Sequence, residues 1–238
     1  MKKHLIGFAF LLSSQTGFAA DLKFIDDLIA TQMENFAEDI GAIITYRSVN
    51  APEAQGLLGF DIGAVLTATK IKNDSLWQTA TGKNAPTYIV VPKLQAQKGL
   101  PFGIDVGLSL SKAADTNISL LGAEIRYALL EGSTVTPALG IRGTYSRLSG
   151  VDQLDANAKG LEISVSKGLL LLTPYAGIGK VWSTITPKGT AAALPETEVN
   201  FNRIFIGTRI ALTLLNIAIE AEKIGETQGV SVKLGINF

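Results

Sequence analysis

From about Leu58 to its last residue, this chain alternates apolar and polar side chains. The final stretch is the cleanest: Val230, Val232, Leu234, Ile236 and Phe238 share one parity, and Ser231, Lys233, Gly235 and Asn237 share the other. A helix cannot hold that pattern on one face. An extended strand can, because its side chains point to opposite sides in turn. Leu58 to Ala68, Phe102 to Leu110, Leu121 to Leu129, Ile204 to Leu214 and Ile217 to Ala221 repeat the pattern.

Turn signals divide the region into ten expected strands, at 58–71, 87–97, 102–112, 118–130, 136–148, 153–167, 172–185, 200–214, 216–224 and 228–238. Each is near or above the roughly 9–11 residues that a tilted bilayer-crossing strand needs. In the sixth, Leu154, Ala156 and Ala158 change parity before Leu161, Ile163 and Val165, which predicts a bulge near Gly160. In the seventh, Tyr175 and Trp182 fall on opposite faces unless a second bulge intervenes. Short links at 98–101, 131–135, 168–171 and 215 alternate with longer or more polar ones, notably 72–86 and 186–199. That puts short turns at one end and loops at the other. Phe60-Asp61-Ile62-Gly63 and Ile104-Asp105-Val106-Gly107 lie 44 residues apart and predict two inward aspartates at one height.

Twelve strand charges share the parity opposite the apolar set: Asp61, Lys93, Asp105, Glu124, Arg126, Arg142, Glu162, Arg203, Arg209, Glu220, Glu222 and Lys233. Lys180 is expected to join them. Alternation does not say which face is inside. The basic, then apolar, then small-residue order of residues 1–20 reads as a secretory signal peptide. With that signal, and with no helices to cover the sheet, the charges belong inside and the apolar face belongs in lipid. These residues are the candidate lumen lining. Phe201 and Phe205 share Arg203's parity and must turn inward with it. Phe60, Phe102, Tyr127 and Phe238 are expected near one interface, and Tyr88, Tyr145 and Trp182 near the other.

Residues 21–57 form a separate unit ahead of the strands at 58–238. Leu22, Ile25, Ile29, Met33, Phe36, Ile40 and Ile43 recur at helical spacing, so an amphipathic helix is expected over about 22–46, with a linker after it. A short eleventh strand at 40–46 would break the even count. The helix has three possible places: inside the lumen as a plug, across the periplasmic mouth, or on the inner leaflet. Val65, Phe201 and Phe205 offer its apolar stripe a local dry partner.

The fold class is therefore an all-β transmembrane barrel, antiparallel and up-and-down, of about ten strands (alternatively twelve), with an N-terminal amphipathic helix. The stretch from Leu58 to Phe238 resembles the Gram-negative outer-membrane β-barrel superfamily. Gly56-Leu57-Leu58-Gly59-Phe60-Asp61-Ile62-Gly63, behind a helical segment, is similar to a family of uncharacterised proteobacterial outer-membrane proteins that brings no known activity. The superfamily resemblance implies the outer membrane as location. It implies outer-membrane lipid and lipopolysaccharide as surroundings, and the barrel-assembly machinery as a partner through the strand ending in Phe238.

Composition narrows the chemistry. There is no cysteine, and the one histidine, His4, lies in the expected signal peptide. A Ser-His-Asp arrangement and a histidine-ligated zinc are then unavailable to the remainder. The barrel enzymes of the superfamily use a histidine, so an enzyme is not expected, and no cofactor or metal site is read. If Lys2 and Lys3 leave with the signal, 19 of the 21 basic residues remain against 21 acidic ones, which argues against nucleic acid as a partner. Asp61 and Asp105 read as inward polar residues paired with Arg or Lys rather than as a catalytic carboxylate pair. The function expected is a small channel or passive transporter with a charge-lined lumen that the helix could plug; the alternative is a closed structural or surface-recognition barrel without transport. Trp77 and Ala191–Ala193 are the loop features with a binding flavour.

Overall fold

The computed structural model describes residues 28–81, 86–113, 116–133 and 135–238; the expected signal peptide lies outside them. Ten antiparallel strands close into one barrel: β1 (Phe60–Lys70), β2 (Tyr88–Gly99), β3 (Ile104–Lys112), β4 (Ser119–Glu131), β5 (Ala138–Ser149), β6 (Leu154–Ser166), β7 (Leu172–Pro187), β8 (Thr197–Leu212), β9 (Leu215–Ile224) and β10 (Thr227–Asn237). Each strand pairs with its neighbours in sequence, and β1 pairs with β10 through Asp61↔Asn237 to Thr69↔Gly229. Closure leaves no exposed sheet edge, which a wall in hydrocarbon requires.

The turns after β2, β4, β6 and β8 sit with the start of β1 and the end of β10, and the longer connections gather at the opposite end. The longest connection carries a second helix, α2 (Asp74–Thr81). Tight turns at the short end force Phe102, Leu170 and Thr213 to positive φ. The structure has no register shift in β6, and Tyr175 and Trp182 face opposite ways along a regular β7. The parity change before Gly160 is therefore no bulge. Leu154, Ala156 and Ala158 turn inward on the same face as Glu162. The irregularity lies instead in β4, between Ala128 and Leu130, where Leu129 and Leu130 both face out.

The reason for the inward apolar residues is the helix that precedes the barrel. α1 (Ala30–Ile44) occupies the long-loop half of the interior against β6, β7 and β8, and residues 22–27 of the expected helix lie outside the described ones. Met33, Phe36, Ala37, Ile40 and Ile44 pack with Leu154, Ala156, Ala158, Val181, Ile185, Phe201 and Ile224. The interior thus has an apolar zone at the long-loop end and a charged zone below it.

The outer wall has the opposite character. Ile62, Leu94, Leu108, Ile125, Leu161, Ile178, Ile206 and Leu234 are all exposed on it. Tyr127 and Phe238 stand exposed near the short-turn end, and Tyr88, Tyr145 and Trp182 toward the other. Lys180 departs from expectation. It is exposed on the outer wall, one residue from buried Val181, with its ammonium 5.9 Å from the Trp182 ring.

Candidate functional site

The charged zone is built by the period of the strands. Each of β1–β6, β8, β9 and β10 sends one or more charges inward at every second position, and the segment after α1 runs down among them. Ten of the twelve candidate residues are buried (Asp61, Asp105, Glu124, Arg126, Arg142, Glu162, Arg203, Glu220, Glu222 and Lys233), while Lys93 and Arg209 are partly buried. A buried charge is tolerable only when it is paired and hydrogen-bonded.

The pairing is dense. The Lys233 ammonium lies 2.6 Å from Asp61, which also accepts from Asn216 at 3.1 Å. Arg126 donates to Asp105 through Nη2 at 2.6 Å and Nε at 3.0 Å. Asp61 and Asp105 thus serve different cations and form no carboxylate pair. At mid-barrel, Arg203 touches three carboxylates: Glu162, Glu220 at 2.6 Å and Glu222 at 2.7 Å. Arg142 joins Glu162 at 3.1 Å to Glu124 at 3.2 Å. The Tyr175 hydroxyl donates to Glu220 at 3.0 Å.

Residues 45–55 complete this network from within. Thr45 to Ala51 are all buried. Arg47 donates to Glu222 at 2.5 Å and to the carbonyls of Ala42, Ile43 and Thr45, so one guanidinium closes the C-terminal end of α1 and meets the wall. Lys93 donates to the Arg47 carbonyl at 2.5 Å and lies over the Tyr46 ring. Ser48 donates to Glu124, Arg126 donates to the Ala51 carbonyl, and Glu53 meets Arg209 at 2.6 Å. The Gln55 backbone N–H donates to Asp105 at 3.1 Å, at the short-turn end. Apolar contacts fill between these: Val49 with Val65 and Ala218, and Ala51 with Tyr175 and Phe205. The linker of the sequence reading is thus a lumen segment, and α1 lies at the end opposite the short turns.

Close approach explains some of the inward glycines. A Cβ at Gly122 would stand 2.5 Å from the Tyr46 ring, and one at Gly41 would stand 3.0 Å from Phe201 and Ser183. Sequence reasoning missed Arg47, Tyr46, Ser48, Asn50, Gln95, Gln97 and Asn216. The parity of Lys93 extends to Gln95 and Gln97, and that of Glu220 extends back to Asn216, so three of the seven share one signal. Arg47 carries no such mark.

At the long-loop end the β1–β2 connection clasps one side of α1. Buried Asp39 accepts from the backbone of Lys72 and Asn73, each at 3.1 Å, and from the Trp77 indole at 3.0 Å. Burial raises its carboxyl above the usual 3.8, against those hydrogen bonds. Trp77 itself is buried, 5.1 Å from Phe36 between ring centres, so it is a clasp rather than a free surface feature. Ala191 is buried as well. Among the described residues no group of His, Cys, Asp and Glu is arranged to hold a metal ion.

Solved structures similar to this chain include the N-terminal β-barrel domain of OprF from Pseudomonas aeruginosa, at 14% identity and TM-score 0.39 over 77% of this chain and 99% of that one. OprG from the same organism is 12% identical with TM-score 0.33, over 78% and 99%. The KdgM porin is 9% identical with TM-score 0.36, over 76% and 99%. Likeness at that level carries no function across. No protein-family model matches the chain, and no curated protein matches it. What the molecule itself displays is an inverted barrel, closed, apolar outside and charged within: the fold of a Gram-negative outer-membrane β-barrel protein.

Proposed function

We propose that this protein is a closed outer-membrane barrel, its lumen sealed by its own residues 28–55, and that it acts through its outer loops and wall rather than by passing solute. The observation that carries this reading is the fit of the segment. Thr45 to Ala51 are buried and bonded to wall residues from β1, β2, β4, β5 and β9. The apolar zone adds to it. If α1 left, Leu154, Val181, Ile185, Phe201 and their neighbours would line a wet lumen, at a cost of about 25 cal/mol for each Å² of apolar surface exposed. A gate meant to open would not be seated on such a surface.

The second reading is a small channel, with residues 28–55 as a displaceable plug. One feature favours it. The six acidic and six basic candidate residues of the wall balance in charge without Arg47 and Glu53, so the wall does not depend on the segment for neutrality.

Recording from the intact chain in planar bilayers separates the two. A sealed barrel is silent at both polarities. Discrete, voltage-dependent openings of the intact chain would establish the channel and overturn the sealed reading.

A further inference from the structure

We propose that the wall opens sideways between β2 and β3 at the long-loop end, and that this opening admits a single-chain carboxylate. The head of the ligand sits at Lys93 and its acyl chain leaves through the wall. The crevice ends at Tyr46 and Arg47, so the proposal rests on the outer-membrane placement of the barrel and not on whether the lumen conducts. Ligand binding reads the crevice and conductance reads the lumen, so the two can fail separately.

The opening follows from the register. β2 and β3 pair from Gly99↔Asp105 to Leu94↔Leu110 and then part. Their other partners continue: β1 stays with β2 to Lys70↔Tyr88, and β4 stays with β3 to Lys112↔Ser119. Closure is complete below Leu94 and Leu110, and above them two hairpins separate. Among the described residues Tyr88–Lys93 have a ladder on the β1 side only.

Pro92 accounts for the break. Gly99 donates to the Gly59 carbonyl, and Ile71 donates to that of Thr87. Ladder bonds alternate between the two sides of a strand, so odd-numbered residues of β2 bond β1 and even-numbered ones face β3. The next bonded pair in the β2–β3 register would be Pro92 with Lys112, and proline has no N–H to give.

Unpaired backbone is tolerated in a membrane wall only beside a polar or wet cavity. One lies directly behind the break, bordered by Ile43, Tyr46, Val91, Lys93, Ser109 and Leu120. Its floor has room for about one water molecule, or one carboxylate oxygen. Val91, Lys93 and Leu120 are only partly buried although they lie on the inner side of the wall.

The floor suits an anion. The Ser109 hydroxyl has no hydrogen bond among the described residues. The Lys93 ammonium donates to the Arg47 carbonyl, which leaves two of its three N–H groups. No carboxylate lies within ion-pair distance of it. The charge that acts on it most strongly is the cation of Arg47; Glu220, Glu124 and Glu222 follow, and each is held by an arginine. The way out is apolar. Val90, Leu94, Leu110 and Leu121 flank the opening and are exposed on the outer wall. A carboxylate on one acyl chain matches both parts, and a phospholipid headgroup is too large for the floor.

The test is binding of palmitate to the purified full chain in neutral detergent, read by native mass spectrometry. Hexadecanol keeps the chain without the charge, and acetate keeps the charge without the chain. Each is expected to bind at least about tenfold more weakly than palmitate. Lys93→Met, and Val91→Trp, which fills the crevice, are each expected to weaken palmitate by at least about tenfold. Lys159→Gln, which alters an exposed lysine on β6, is expected to bind as the unaltered chain does. Folding of each variant is checked by heat-shifted gel mobility. If Lys93→Met fails to fold, Val91→Trp and the two control ligands carry the test. Unchanged palmitate binding in either folded variant overturns the site. Equal binding of hexadecanol overturns the carboxylate head, and equal binding of acetate overturns the acyl chain.

Discussion

Arg47 Nε lies 2.5 Å from Glu222 Oε1, and the two residues are 175 positions apart in the chain. The same guanidinium holds three carbonyls at the end of α1. One side chain therefore couples the helix, the lumen segment and the wall. Arg47→Met should lower barrel stability by about 3 kcal/mol, toward the lower limit for removing one partner of a buried pair, because Glu222 keeps Arg203. The midpoint of heat-shifted gel mobility in detergent measures it. A change within error would mean that the segment is not held through this residue.

Gly122 tests the fit of the segment from the wall side. Gly122→Leu must displace the Tyr46 ring or the Ser109 hydroxyl, each 2.5 Å from the position of the new Cβ. Overpacking of this kind costs about 1–3 kcal/mol. The expected consequence is access to Arg47, which is 2% exposed in the intact molecule. Trypsin should cut after it in the variant and spare it in the original chain. Tyr46→Ala in the same background should restore protection. Gly143→Ala is the control, since its Cβ would meet one methyl at 3.6 Å.

The barrel was legible because its code is binary. Ten strands of period two, alternating turn lengths and one charged parity required no knowledge of what lay inside. The same code misled at Leu154, Ala156 and Ala158. Apolar residues on the charged parity looked like a slipped register, when they are the seat of α1. Lys180 misled in the other direction, because Tyr175 and Trp182 left the phase of β7 open and an outward lysine beside Trp182 resembles an inward one in sequence. The path of residues 45–55 was not legible at all. Extended backbone held by scattered polar contacts to wall residues has no period, and its partners lie 22 to 175 positions away.

Asp39 gives the outer clasp a pH dependence. Burial raises its folded-state pKa above the ordinary 3.8, so the folded state holds the proton more tightly than the unfolded chain does. Its contribution to stability is therefore greatest below 3.8 and is lost as pH rises through the folded value. Quenching of Trp77 by acrylamide, in a Trp182→Phe background, should increase as pH is raised from 3.8 through the folded-state value above it. Asp39→Asn should remove the slope, at a cost of about 1–3 kcal/mol for the acceptor lost to the Trp77 indole and the Lys72 and Asn73 amides. Equal slopes in the two proteins would assign the titration elsewhere.

The direction of the lumen segment fixes where the chain enters. Gln55 bonds Asp105 near the short turns, Arg47 meets Glu222 at mid-barrel, and Glu38 meets Lys72 at 3.2 Å in the long-loop end. Lys72 also meets Glu226 in the β9–β10 turn at 2.8 Å. Leu28 is therefore on the long-loop side, with Ile29 beside it 61% exposed. An epitope inserted immediately before Leu28 should be reached by antibody on intact cells, without permeabilisation, as should one placed in the β9–β10 turn. An epitope in the turn after β6, beside Leu170, should be reached only after the outer membrane is opened. If the epitope before Leu28 behaves instead like the one beside Leu170, the segment enters from the periplasm, and the seal at the outer mouth is not made by α1.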